Sequence, residues 1–101
     1  MKLVRDKIPD IILANGKIPE YEFIKDDSLY HELLNQKLEE EVKEYLESGS
    51  IEEICDILEV LYAILKAKNL DISYIDAKRK EKNQSNGAFE KRILLRDIRS
   101  K

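Results

Sequence analysis

Across residues 29–47 the chain carries neither proline nor glycine, and leucines and tyrosines recur at 30, 33, 34, 38, 45 and 46 among charged neighbours. Apolar positions three to four apart, in a stretch of good helix formers, predict a first core helix. Ser48-Gly49-Ser50 ends it, because glycine supplies a left-handed cap and serine can cap the start of another helix. Ser50 with Glu53 three residues on has the spacing of a capping box. A second core helix is therefore expected over residues 51–68, where Ile54, Ile57, Leu58, Leu61, Tyr62, Ile64 and Leu65 form a broad apolar surface. So short a connection makes the two helices antiparallel neighbours. Leu34, Leu38, Val42, Tyr45, Ile57, Leu58, Leu61 and Leu65 are expected to pack between core helices.

The flanking segments are shorter. Pro9 suits a first helical turn, an apolar cluster comes after it, and Asn15-Gly16 is a stop, so a short helix is expected near residues 8–14. Tyr21-Glu22-Phe23-Ile24 alternates briefly in the manner of a strand. Asp26-Asp27-Ser28 looks like a helix entry. Another helix should begin near Asp71 or Ser73 and run into Lys78-Arg79-Lys80-Glu81-Lys82, with Asn83-Gln84-Ser85-Asn86-Gly87 breaking it. The expected fold is all-α: a small helical bundle, one domain over residues 1–101, with antiparallel core helices. A chain of 101 residues buries only about 60–70% of the surface it exposes when unfolded, so completion by a homo-oligomer, dimer or tetramer, is the default expectation.

Charge changes this picture because it is unevenly placed. Residues 20–59 hold fourteen acidic side chains against three basic, while residues 78–101 hold nine basic against three acidic. The acidic middle argues against a general nucleic-acid surface, and the two blocks together suit a metal-bridged polyphosphate. One cysteine, Cys55, allows no internal disulfide, and no stretch is apolar enough for a signal peptide or a bilayer span. A cytoplasmic location is the expectation, with no membrane partner.

Some acidic residues fall on the wrong face. On a wheel of about 100° per residue with Glu41 at zero, Leu34 lies near +20°, Tyr45 near +40°, Leu38 near +60° and Tyr30 near −20°. Glu41 is therefore inside the apolar stripe, with Glu44 and Glu40 on its border. On the second core helix, with Glu53 at zero, Val60 falls near −20°, Ile64 near +20°, Ile57 near +40° and Asp56 near −60°. An ionised carboxylate facing a helix interface is costly unless neutralised, and two facing pairs would also repel each other. A hard divalent cation takes six or more oxygen ligands, so Glu41, Glu44, Glu53 and Asp56 could together hold Mg²⁺, with Glu40 and Glu59 as outer candidates. Against this stands the common fate of acidic runs, a solvated helix face.

Lys37-Leu38-Glu39-Glu40-Glu41-Val42-Lys43-Glu44, followed by Glu53-Ile54-Cys55-Asp56, resembles the all-alpha nucleoside triphosphate pyrophosphohydrolases, the MazG-like superfamily, whose pattern is Glu-x-x-Glu, a spacer, then Glu-x-x-Asp. The opening Lys2-Leu3-Val4-Arg5-Asp6-Lys7-Ile8-Pro9 and the closing Asn86-Gly87-Ala88-Phe89-Glu90-Lys91-Arg92 are similar to the ends of its phosphoribosyl-ATP pyrophosphohydrolase-like subgroup. The spacer, Tyr45 to Glu52, is shorter here than the superfamily's usual range. The resemblance implies Mg²⁺ held at Glu41, Glu44, Glu53 and Asp56, with Mn²⁺ able to substitute. It also implies hydrolysis between the α and β phosphates of a nucleotide to a monophosphate and pyrophosphate. The nucleophile would be a metal-activated water rather than a side chain, which agrees with what a bound metal does to the acidity of water.

Arg5, Lys7, Lys78, Lys82, Lys91 and Arg92 are the phosphate-binding candidates, Arg5 and Arg92 foremost because apolar neighbours anchor each. His31 is expected to be solvated, Cys55 a small core residue, and Phe89 core rather than a stacking platform. No glycine-rich phosphate loop is present. The leading expectation is a house-cleaning nucleotide pyrophosphohydrolase. Its rivals are a phosphoribosyl-ATP pyrophosphohydrolase of histidine biosynthesis and a non-catalytic helical interaction module. Nucleic-acid binding through residues 78–101 ranks last.

Overall fold

Four helices and no strand make up the computed structural model, which describes all 101 residues. They are α1 (Ile8–Ala14), α2 (Asp27–Ser48), α3 (Ile51–Ala67) and α4 (Ile72–Asn86). Residues Met1–Asn69 form one compact unit and Leu70–Lys101 another.

Local chemistry sets the ends of the first unit's helices. Pro9 lies in the first turn of α1, where its missing N–H has no partner to lose. The Asp26 carboxylate caps α2, accepting from Ser28 N at 2.9 Å and Leu29 N at 3.4 Å. At the other end Gly49 is left-handed, φ 67°, and donates its N–H to Tyr45 O at 2.7 Å. Ser50 has the extended backbone of an N-cap, but its hydroxyl makes no capping bond, so the expected capping box does not form. Glu52 and Glu53 in the first turn of α3, and Lys66 in its last, match the helix dipole instead.

The two-residue link folds α3 back along α2, and this hairpin is the principal tertiary contact of the chain. Leu34 and Val60 are its buried apolar centre. Leu38, Tyr45, Ile57 and Leu65 are half-buried around them, whereas Val42, Leu58 and Leu61, expected in the same interface, are exposed. On α3 the arc from Asp56 to Ile57, within about 60° of Glu53, is half-buried or buried, and the exposed Leu61, Ile54 and Leu58 lie about 80–140° away; Leu65, near 120°, is half-buried outside that arc. Cys55 is likewise exposed rather than core, because it points about 200° from Glu53.

Tyr21-Glu22-Phe23-Ile24 is not a strand. With no second strand in the chain, no ladder can form, and Tyr21 and Phe23 meet edge to face at 5.9 Å instead. His31 is half-buried and tilts against Tyr30, 6.4 Å between ring centroids.

In the second unit, Asp71 caps α4 by accepting from Ser73 N at 3.1 Å. The helix runs through the expected break at Asn83 and stops only at Gly87, whose N–H bonds Asn83 O at 2.7 Å. Ion pairs from Asp76 to Arg79 (2.8 Å) and Lys80 (3.3 Å), three and four residues on, support this polar helix. Residues 91–101 have no regular structure, and Phe89, expected in the core, is 96% exposed.

Candidate metal centre

Glu41 is the one buried charged residue, its side chain only 7% exposed. Its place on α2 follows from sequence spacing: seven residues, close to two helical turns, separate it from Leu34, so the face that buries the leucine buries the glutamate. Across the hairpin, Glu53 and Asp56, three apart on α3, bring their carboxylates to the same point. One oxygen from each of Glu41, Glu53 and Asp56 lies within 4.8 Å of the others. Both α3 residues are half-buried. The short Tyr45–Glu52 spacer therefore does not prevent the two acidic motifs from meeting.

Three carboxylates so close would repel unless something cationic stood among them. Two side chains supply part of that charge. Lys37 Nζ lies 3.3 Å from Glu41 Oε1, one turn earlier on the same helix, and 3.6 Å from Glu40 Oε2. Arg5 Nη2 donates to Asp56 Oδ1 at 2.7 Å from the segment ahead of α1. The second oxygen of Glu41, Oε2, is buried with no hydrogen-bond partner. An unpartnered buried carboxylate oxygen costs on the order of 1–3 kcal/mol, and native structures rarely leave one without a reason. Burial raises the Glu41 carboxyl above its ordinary value; the hydrogen bond from Lys37 opposes this, and the nearby charge of Glu44 adds to it.

An all-oxygen donor set of three carboxylates, one oxygen orphaned, has the chemistry to hold a hard metal cation. Glu44, expected as a fourth ligand, is outside the three-carboxylate group; it is half-buried and acts on Glu41 through its charge. Glu40 is engaged by Lys2 at 3.7 Å and by Lys37, and Glu59 is exposed on the rim. The cluster opens on a cleft of about 630 Å³ whose walls include Arg5, Lys37 and Lys66 on the cationic side and Tyr30, Leu34 and Tyr62 on the apolar side.

Of the six basic candidates, Arg5 alone bonds a cluster carboxylate. Lys7 is exposed and makes no ion pair. Lys78, Lys82, Lys91 and Arg92 belong to the second unit, where Lys78 sits over the Tyr74 ring at 5.6 Å and Arg92 takes a positive φ of 56°. Lys37 and Lys66 were not among the candidates. The signal for Lys37 was present in its spacing, four residues before Glu41. No family model, curated protein or solved structure matches the chain.

Proposed function

We propose that this chain is a Mg²⁺-dependent nucleotide pyrophosphohydrolase that cleaves a nucleoside triphosphate between its α and β phosphates, giving a monophosphate and pyrophosphate. The observation that carries the proposal is the orphaned, buried Oε2 of Glu41 beside the carboxylates of Glu53 and Asp56. Helices that only packed together would gain by placing leucine there. The resemblance of the Glu41/Glu44 and Glu53/Asp56 motifs to the all-alpha pyrophosphohydrolases supplies the reaction class.

In this reading Glu41, Glu53 and Asp56 would hold the cation, which would supply neutralisation of phosphate charge and a lowered pKa for water. Glu44 keeps the local field negative. Arg5, Lys37 and Lys66, all on the cleft wall, meet phosphate oxygens, and the arginine offers them a paired contact. Tyr30 and Tyr62 give the nucleoside an apolar wall. The arc of α3 left uncovered, Ile54, Leu58 and Leu61, is the surface for a second copy, so the working form is a homo-oligomer. No helix is long and apolar enough to cross a membrane, and a cytoplasmic enzyme acting on non-standard nucleotides is the role proposed.

A panel of nucleoside triphosphates, with phosphoribosyl-ATP among them, assayed for pyrophosphate release with Mg²⁺ and with EDTA, tests this. Metal-dependent release from triphosphates is expected. Release of inorganic phosphate alone, or no difference between Mg²⁺ and EDTA, overturns it, and exclusive action on phosphoribosyl-ATP would move the enzyme to histidine biosynthesis.

A further inference from the structure

The pair between Arg5 and Asp56 spans fifty-one residues of sequence, so it is a tertiary contact and not an accident of helix spacing. The segment bearing Arg5 is seated along the cleft: Leu3 is half-buried, Leu3, Val4 and Asp6 all line the wall, and Ile8 N donates to Arg5 O at 3.1 Å. The guanidinium itself is 54% exposed and Asp56 36%, so water reaches the bond and the side chain is free to leave. Lys37 differs, being 18% exposed and tied to Glu41 within one turn of its own helix.

A cation drawn to the orphaned Glu41 Oε2 and to Asp56 would meet a charge already in place. Mg²⁺ binds oxygen at about 2.0–2.1 Å, and Arg5 Nη2 is 2.7 Å from Asp56 Oδ1. The two positive groups would stand a few ångströms apart and repel each other. Resting on the metal-site reading above, we propose that Arg5 is a tethered counter-ion of the metal-free carboxylates: it holds Asp56 while no cation is bound and is displaced when one binds. By reciprocity, whatever the docked arginine subtracts from cation affinity, the cation subtracts from docking of residues 3–6. The displaced guanidinium remains tethered at the cleft mouth, and anion binding through Arg5 is thereby made to follow cation binding.

The test uses the full chain with Mn²⁺ or Mg²⁺ as the only ligand. Calorimetric titration is compared for wild type, Arg5→Met, Arg5→Lys and Lys7→Met, the last removing a charge two residues away that pairs with no cluster carboxylate. Exposed ion pairs reach about 1 kcal/mol, so Arg5→Met should bind the cation up to about fivefold more tightly. Lys7→Met should change affinity by less than about twofold, as a screened surface charge does, and Arg5→Lys should stay near wild type. In the wild type, ¹⁵N relaxation should show the amides of residues 3–6 and the Arg5 Nε–H gaining mobility as Mg²⁺ is added; this readout needs no variant to fold. Affinity unchanged or weakened in Arg5→Met, an equal gain in Lys7→Met, or an N-terminal segment whose mobility ignores saturating Mg²⁺ would each overturn the counter-ion role while leaving the metal site standing. Cation binding by none of the four proteins would defeat the metal-site reading itself.

Discussion

Replacing Glu41 by Gln keeps the shape of the side chain and removes the charge that the fold buries. Ionised and with Oε2 unpartnered, the carboxylate costs on the order of 1–3 kcal/mol. The opposing loss is its pair with Lys37, which has the less favourable order along the helix, lysine before glutamate, and is worth about 0.5 kcal/mol. The balance is about 1 kcal/mol in favour of the variant, or a melting temperature higher by about 5 °C in EDTA near neutral pH. The pH dependence comes from the raised carboxyl. The folded chain holds this proton more tightly than the unfolded chain, so the penalty is absent below the ordinary value of 4.5, grows as pH rises through the folded value, and is complete above it. The stabilisation of Glu41→Gln should therefore grow as pH rises above 4.5 and vanish below it. Metal reverses the order. With Mg²⁺ at a hundred times its dissociation constant the wild type gains about 2.7 kcal/mol by mass action, and the variant, with an amide oxygen as a weaker ligand, much less. Pyrophosphate release should fall by orders of magnitude. Melting curves at neutral and acidic pH, with and without Mg²⁺, beside that assay are decisive: a variant no more stable than wild type in EDTA at neutral pH, or one with the same response to Mg²⁺, refutes the reasoning.

Asp56→Asn should weaken Mn²⁺ binding at least tenfold by titration, since it removes the charge of one of the three carboxylates proposed to hold the cation, and should also release Arg5, seen as greater mobility of residues 3–6 without any metal. Gly49→Ala should lower the urea midpoint by an amount equivalent to about 1 kcal/mol, because φ 67° penalises a side chain although nothing lies within 4 Å of the added carbon. Hydrogen bonds from Arg79 and Lys80 hold the Asp76 carboxyl below its ordinary value, so its support of α4 is present above that value and lost as pH falls through the folded one. Amide exchange in α4 should quicken in that acidic window, and Asp76→Asn should remove the pH dependence.

The four helices were legible in residue spacing because their ends depend on local chemistry. An aspartate before α2, Gly49 after it and Pro9 in α1 each act on backbone groups within a few residues. Glu41's burial was legible for the same reason, since a residue seven positions from Leu34 must share its face. The overrun of α4 past Asn83 shows the limit of composition: polar residues weaken a helix without ending it, and the stop waits for Gly87. What the sequence by itself could not decide was set by rotation and contact between helices. Which arc of α3 faces α2 determines that Val60 is buried while Leu58 and Cys55 are not, and that Glu53 and Asp56 reach Glu41. Arg5 was a phosphate candidate on its neighbours alone, and only the fold brings it to Asp56, because a contact across fifty-one residues has no periodicity from which to read it. Local rules placed the carboxylates on their helices; the packing of one helix on the other chose which three converge.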